Sequence, residues 1–97
     1  MTDPVAPEKL MARLRAEADG CYSWSNGPGD VYGEHAHAYD KVLYCVSGSI
    51  TFTLRDRDIL LGPGDRMVLP AGTLHGATVG PEGCACIEGR GRNMAPR

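Results

Sequence analysis

From Cys21 onward the chain is cut into short segments by corners rich in glycine and proline: Asn26-Gly27-Pro28-Gly29, Ser47-Gly48, Gly62-Pro63-Gly64-Asp65, Pro70-Ala71-Gly72 and Gly80-Pro81-Glu82-Gly83. Such residues tolerate positive φ or fix it near the value a tight turn needs. The segments between the corners have strand character. Ser49–Leu54 alternates, with Ile50, Phe52 and Leu54 on one face and Ser49, Thr51 and Thr53 on the other. Cys21–Ser25, Val31–His37, Lys41–Val46, Ile59–Leu61, Arg66–Leu69, Thr73–Val79 and Gly83–Glu88 read as further strands, and Arg55-Asp56-Arg57-Asp58 as a polar hairpin tip. Seven or eight short strands at regular spacing predict an all-β fold, an antiparallel barrel or jelly-roll sandwich.

One segment breaks this pattern. Pro7 to Ala18 predicts a short helix, with Pro7 in its first turn, Glu8 near its N-terminus and Gly20 as its stop. Leu10, Met11 and Leu14 give it one apolar stripe, which must cap the outside of the barrel. Residues 1–20 are thus read as tail and helix, and 21–97 as a single barrel domain, since 97 residues leave no room for a second core. Residues 1–6, and the Gly/Arg-rich stretch from Gly89, are expected to be frayed. A net charge of −2 gives no electrostatic reason to expect nucleic acid or an anionic membrane as partner. No apolar run reaches membrane-spanning length, and the acidic, proline-bearing start lacks the pattern of a secretory signal, so the expected location is cytoplasmic. The four cysteines are then expected as thiols, with Cys84 and Cys86 on one face of a strand as small buried hydrophobes.

All three histidines fall within two glycine-framed stretches. The first runs from Gly29 through His35-Ala36-His37 and Lys41 to Gly48; the second runs from Gly64 through Pro70 and Gly72 to His75. Period-two alternation puts His35 and His37 on one strand face. A third imidazole from another strand would complete a three-nitrogen metal site.

The two frames resemble the motifs of the cupin family. In the first, Gly29, His35, His37 and Gly48 stand in register and Lys41 occupies the position of the family's glutamate ligand. In the second, Gly64, Pro70, Gly72 and His75 match, and Val79 replaces an asparagine. The resemblance implies a double-stranded antiparallel β-barrel, commonly homodimeric, with a metal pocket whose ligands here would be His35, His37 and His75. Such a donor set suits a divalent transition metal without choosing among zinc, nickel, iron and manganese.

Lys41 complicates that pocket. A divalent ion and an ammonium about 5 Å apart repel by roughly 6–7 kcal/mol at an effective dielectric near 20. The lysine can swing out and pair with Asp40 or Glu34, lose its proton, hold an anionic substrate, or mark a site with little metal. The first is favoured here, because a long flexible side chain moves at low cost. Asp40 as substitute ligand would need a bulge to reverse its facing, and Glu34 is out of phase with the histidines. Strand parity points Lys41, Leu43 and Cys45 inward, so Lys41 and Cys45 are candidate groups behind the metal or against a substrate. Trp24, Tyr39 and Tyr44 are read as packing residues. The expected function is a metal-dependent dioxygenase or isomerase acting on a small molecule; the competing expectation is a non-catalytic binding module for an anionic metabolite, with little or no metal.

Overall fold

In a computed structural model describing residues 6–92, the chain forms α1 (Pro7–Arg15), β1 (Ala18–Asn26), β2 (Val31–His35), β3 (Lys41–Leu54), β4 (Asp58–Leu61), β5 (Arg66–Leu69) and β6 (His75–Gly91). All strand pairings are antiparallel, in the jelly-roll arrangement the corners predict. β6 pairs with β1, β2 and β3, while β3 also carries β4 and β5. The β3–β6 ladder runs from Lys41↔Arg90 to Leu54↔His75 and is the spine of the fold.

Two long strands replace four expected short ones. Ser47-Gly48 and Gly80-Pro81-Glu82-Gly83 were expected as turns, yet β3 and β6 continue through them. The ladder absorbs them as register shifts between Cys45 and Ser47 and between Gly48 and Ile50. A bulge bends a strand without ending it. Gly48 makes the bend possible: its φ is +70°, and a Cβ there would lie 2.0 Å from the carbonyl oxygen of Gly83 on the partner strand.

Two other corners are true turns, built alike. Gly27-Pro28-Gly29-Asp30 and Gly62-Pro63-Gly64-Asp65 share one sequence and one hydrogen-bond pattern. In each, the aspartate N–H donates to the first glycine's carbonyl, and the aspartate side chain accepts that glycine's N–H, at 2.9 Å and 2.8 Å. The second glycine has φ of +75° or +87°, the value of the third position in a type II turn, which also accepts proline at its second. Each turn then exchanges two backbone bonds with one strand residue, Val79 of β6 or Cys45 of β3.

Alternation along β3 separates two cores. Leu43, Cys45, Ile50 and Phe52 point inward and pack with Cys84, Cys86, Ala77 and Val79. Val42 and Tyr44 point outward, where Leu10, Leu14 and Ile87 cover them. Both helix leucines are fully buried, each burial contributing about 1.5–3 kcal/mol. The helix ends at Arg15 rather than Ala18. Ala18 instead opens β1 opposite Gly91, and Glu17 binds the Tyr44 hydroxyl and the Arg66 guanidinium. Gly20, expected as the helix stop, lies within β1. The chain from Gly89 is not frayed at its start, because β6 extends to Gly91 and Arg90 pairs on both sides. Residues 1–5 and 93–97 lie outside the described region, so the expectations for those ends do too.

Two glycine substitutions separate backbone from side-chain limits. Gly48→Ala meets a carbonyl oxygen and a left-handed φ together, and should lose more than about 2 kcal/mol in urea unfolding. Gly80→Ala meets chiefly the Ser49 hydroxyl at 1.9 Å, which can rotate away, with the Ser49 Cβ at 3.2 Å and carbonyl oxygen at 3.3 Å needing only a small adjustment; its cost should be the smaller, and equal costs would contradict this account of the bend.

Candidate metal centre

The three histidines converge. Ring centroids lie 4.9 Å apart for His35–His37, 4.4 Å for His35–His75 and 5.3 Å for His37–His75. One ring nitrogen from each falls within 4.8 Å of the others. The means differ from the sequence expectation for one member. His35 closes β2 directly opposite His75 of β6. His37 lies beyond the strand, so strand alternation does not place it. A loop does: the His37 carbonyl accepts the Gly72 N–H at 2.8 Å, and the Asp40 carboxylate accepts the Ala71 N–H at 2.8 Å. The Pro70-Ala71-Gly72 corner of the second frame is thereby fastened to the first.

Hydrogen bonds fix the tautomers. Nδ1 of His35 lies 2.7 Å from the Gly33 carbonyl, and Nδ1 of His75 lies 2.9 Å from that of Thr73. A carbonyl only accepts, so each Nδ1 carries a proton and each neutral ring keeps an Nε2 lone pair. Nε2 of His37 is buried and has no hydrogen-bond partner among the described residues. An orphaned buried nitrogen is costly unless something fills the position. Burial is the first cause holding the His37 and His75 pKa values below the usual range; Lys41 and the neighbouring imidazoles add to it. Neutral rings, bare nitrogens and convergence are the features a metal site needs, so the residues present fit a divalent transition ion.

Lys41 does not swing out. Its side chain lines the same cavity as the histidines, and Nζ lies 3.3 Å from Oε2 of Glu88, with side chains 10% and 4% exposed. The partner is neither Asp40 nor Glu34, the two carboxylates considered from sequence. Glu88 also accepts the Trp24 indole N–H at 2.7 Å through its other oxygen. The Tyr22 phenol is pushed up to about 12 by desolvation first and by the neighbouring Glu88 carboxylate. Sequence reading placed Glu88 only at a strand end. Its signal was parity, since Glu88 shares a face with the buried Cys84 and Cys86, where a carboxylate is out of place.

Cys45 is not brought to the histidines. It is fully buried in the inner core, its thiol directed at the Ser47 carbonyl at 3.4 Å. Cys84 and Cys86 are buried with it, as expected of small apolar residues. Trp24 lines the cavity as well as packing, and Tyr39 stacks on His37 at 5.2 Å.

An antiparallel jelly roll is the class of fold these strands define, and comparison identifies the family within it. The Cupin domain family profile matches residues 24–92, so the chain belongs to the cupin family. It is 42% identical over 53 residues to acireductone dioxygenase 4 of Arabidopsis thaliana, covering 50% of this chain and 28% of that protein. It is 40% identical over 53 residues to quercetin 2,3-dioxygenase of Bacillus subtilis, covering 53% of this chain and 16% of that protein. The chain thus spans under a third of the length of these curated relatives. Among solved structures, KdgF from Halomonas sp. superposes with a TM-score of 0.63 at 28% identity, over 75% of this chain and 69% of that one.

Two measurements check this electrostatic picture. Glu88→Gln strands a buried ammonium and should cost about 3 kcal/mol or more. In Lys41→Met/Glu88→Gln the two costs should fall short of additivity by about 1 kcal/mol or more, and strict additivity would show the pair does not interact. Because folding lowers the His37 and His75 pKa values below 6.5, the unfolded chain binds more protons just below that pH. Stability of the metal-free protein should therefore fall as pH drops through about 6.5, and His75→Ala should flatten that slope in urea midpoints.

Proposed function

We propose that the chain binds one divalent transition metal through Nε2 of His35, His37 and His75 and presents it to a small molecule in the adjoining cavity. The observation that carries this reading is the set of three ring nitrogens, one from each histidine, within 4.8 Å of one another, together with the buried Nε2 of His37 that has no partner among the described residues. The donor set admits zinc, nickel, iron or manganese. Such an ion, when bound, supplies Lewis acidity or oxygen activation. The dioxygenase names of two relatives support a dioxygenase, with isomerisation as the other reaction class. The cytoplasmic location and homodimeric assembly expected above belong to the same proposal.

The remaining side chains do the binding work. The cavity of about 310 Å³ admits a small ligand. Trp24 and Tyr32 form an edge-to-face pair at 6.0 Å on its wall, and Phe52 lies 6.2 Å from the His75 ring. These rings exclude water from the histidines. Lys41 and Glu88 offer a ligand a donor and an acceptor in fixed relation.

One observation favours the second reading, an anion-binding module holding little metal: the Lys41 ammonium lines the histidine cavity. Metal content separates the two. Protein purified without chelators should hold about one ion per chain, and His75→Ala should lower affinity at least about tenfold. Occupancy under about a tenth, unchanged by adding zinc, nickel, iron or manganese, would favour the module. Full occupancy in His75→Ala would remove His75 from the ligand set.

A further inference from the structure

We propose that Arg90, with Lys41 beside it, forms an oxyanion-binding lip for the carboxylate or phosphate group of a small molecule that reaches into the histidine cavity. That the molecule continues to the histidines rests on the small-ligand reading above; the oxyanion site itself needs no metal.

Register supplies the first argument. Lys41 and Arg90 are direct partners across the β3–β6 ladder, so their side chains leave the same face of the sheet. Like charges directly opposite one another weaken a sheet. Glu88, two residues before Arg90 on that face, answers only one of the two cations.

Charge accounting supplies the second. Among the described residues, the ion pairs are Lys41–Glu88, Arg66–Glu17 and Arg92–Asp19. Asp19 lies opposite Arg90 on β1 but is held by Arg92. Among the described residues, no carboxylate is ion-paired with Arg90.

The third argument is shape. Arg90 lines a cleft of about 470 Å³ with Tyr22, Tyr39, Glu88 and Asp19, the last held by Arg92; Tyr22 and Glu88 also line the histidine cavity, where Lys41 stands. The two spaces share a wall. The Arg90 guanidinium lies over the Tyr39 ring at 4.6 Å, and Tyr39 stacks on His37 at 5.2 Å. That cation–π contact holds the guanidinium over the ring and leaves N–H groups for a fork to an oxyanion. A ligand anchored there would extend along the shared wall toward the imidazoles.

The experiment is an NMR titration of isotope-labelled protein with inorganic phosphate and, separately, benzoate. Saturable shifts are expected at the Arg90 side-chain N–H and at the Tyr39, Lys41 and Arg90 amides. Stronger binding by one probe identifies the oxyanion. Arg90→Gln should weaken binding about tenfold, Arg90→Lys should restore part of it, and Arg57→Gln, on the hairpin tip, should leave it unchanged. Unsaturable shifts, shifts centred elsewhere, or wild-type affinity in Arg90→Gln would overturn the proposal. Repeating the benzoate titration with added zinc separates the two readings. Oxyanion binding without zinc binding sinks only the metal site, and zinc binding without shifts at Arg90 sinks only the lip.

Discussion

The β3–β6 ladder is the constraint from which everything functional in this chain follows. It pairs Leu54 with His75 at one end and Lys41 with Arg90 at the other. Because side chains alternate, the register on each side of the bulges decides which residues face the interior. It puts Leu43, Cys45, Cys84 and Cys86 into one core, and Val42, Tyr44 and Ile87 under the helix. Glu88 follows the interior parity and so stands beside Lys41. A slip of one residue would turn the carboxylate out and leave the lysine buried without it. The bulges around Gly48 shift the register between the two stretches of the ladder and let it bend.

The fold was legible because its signals are local. Glycine and proline mark corners by their own dihedral preferences, whatever the rest of the chain does. Ser49–Leu54 announces its inward face without reference to a partner. What misled was a glycine's double use. Gly29 and Gly64 close turns, while Gly48 and Gly83 bend continuing strands, and all four have positive φ. Sequence near each does not distinguish a chain that reverses from one that bends, because the difference lies in what pairs beyond the corner. The two Gly-Pro-Gly-Asp corners do carry a local mark, an aspartate whose side chain returns to the first glycine. Ser47-Gly48 has none.

The histidines were legible for a similar reason, and their electrostatic partner was not. His35, His37 and His75 stand in frames whose corner residues make the contacts that bring them together; Gly72 bonds the backbone of His37 itself. Glu88 stands in no frame. It meets Lys41 across the ladder, 47 positions along the chain by the difference of the two residue numbers. The sequence-based preference for Asp40 or Glu34 favoured neighbours in the chain, whereas the structure chose a neighbour in the sheet.

That choice changes how a cation can be tolerated beside the histidines. A solitary ammonium in this cavity would oppose a divalent ion by several kcal/mol, on the order of the repulsion computed for a bare pair of charges. Paired with Glu88 it becomes half of a dipole, and the carboxylate offsets its charge as felt at the imidazoles. Lys41 pushes the His37 and His75 pKa values down, and Glu88 pushes both up. A carboxylate expected as a ligand within the first frame is thus replaced by one supplied from β6, acting through space rather than through a metal bond. On the metal reading proposed above, the three nitrogens would carry the coordination alone and leave more positions on an ion free for a ligand.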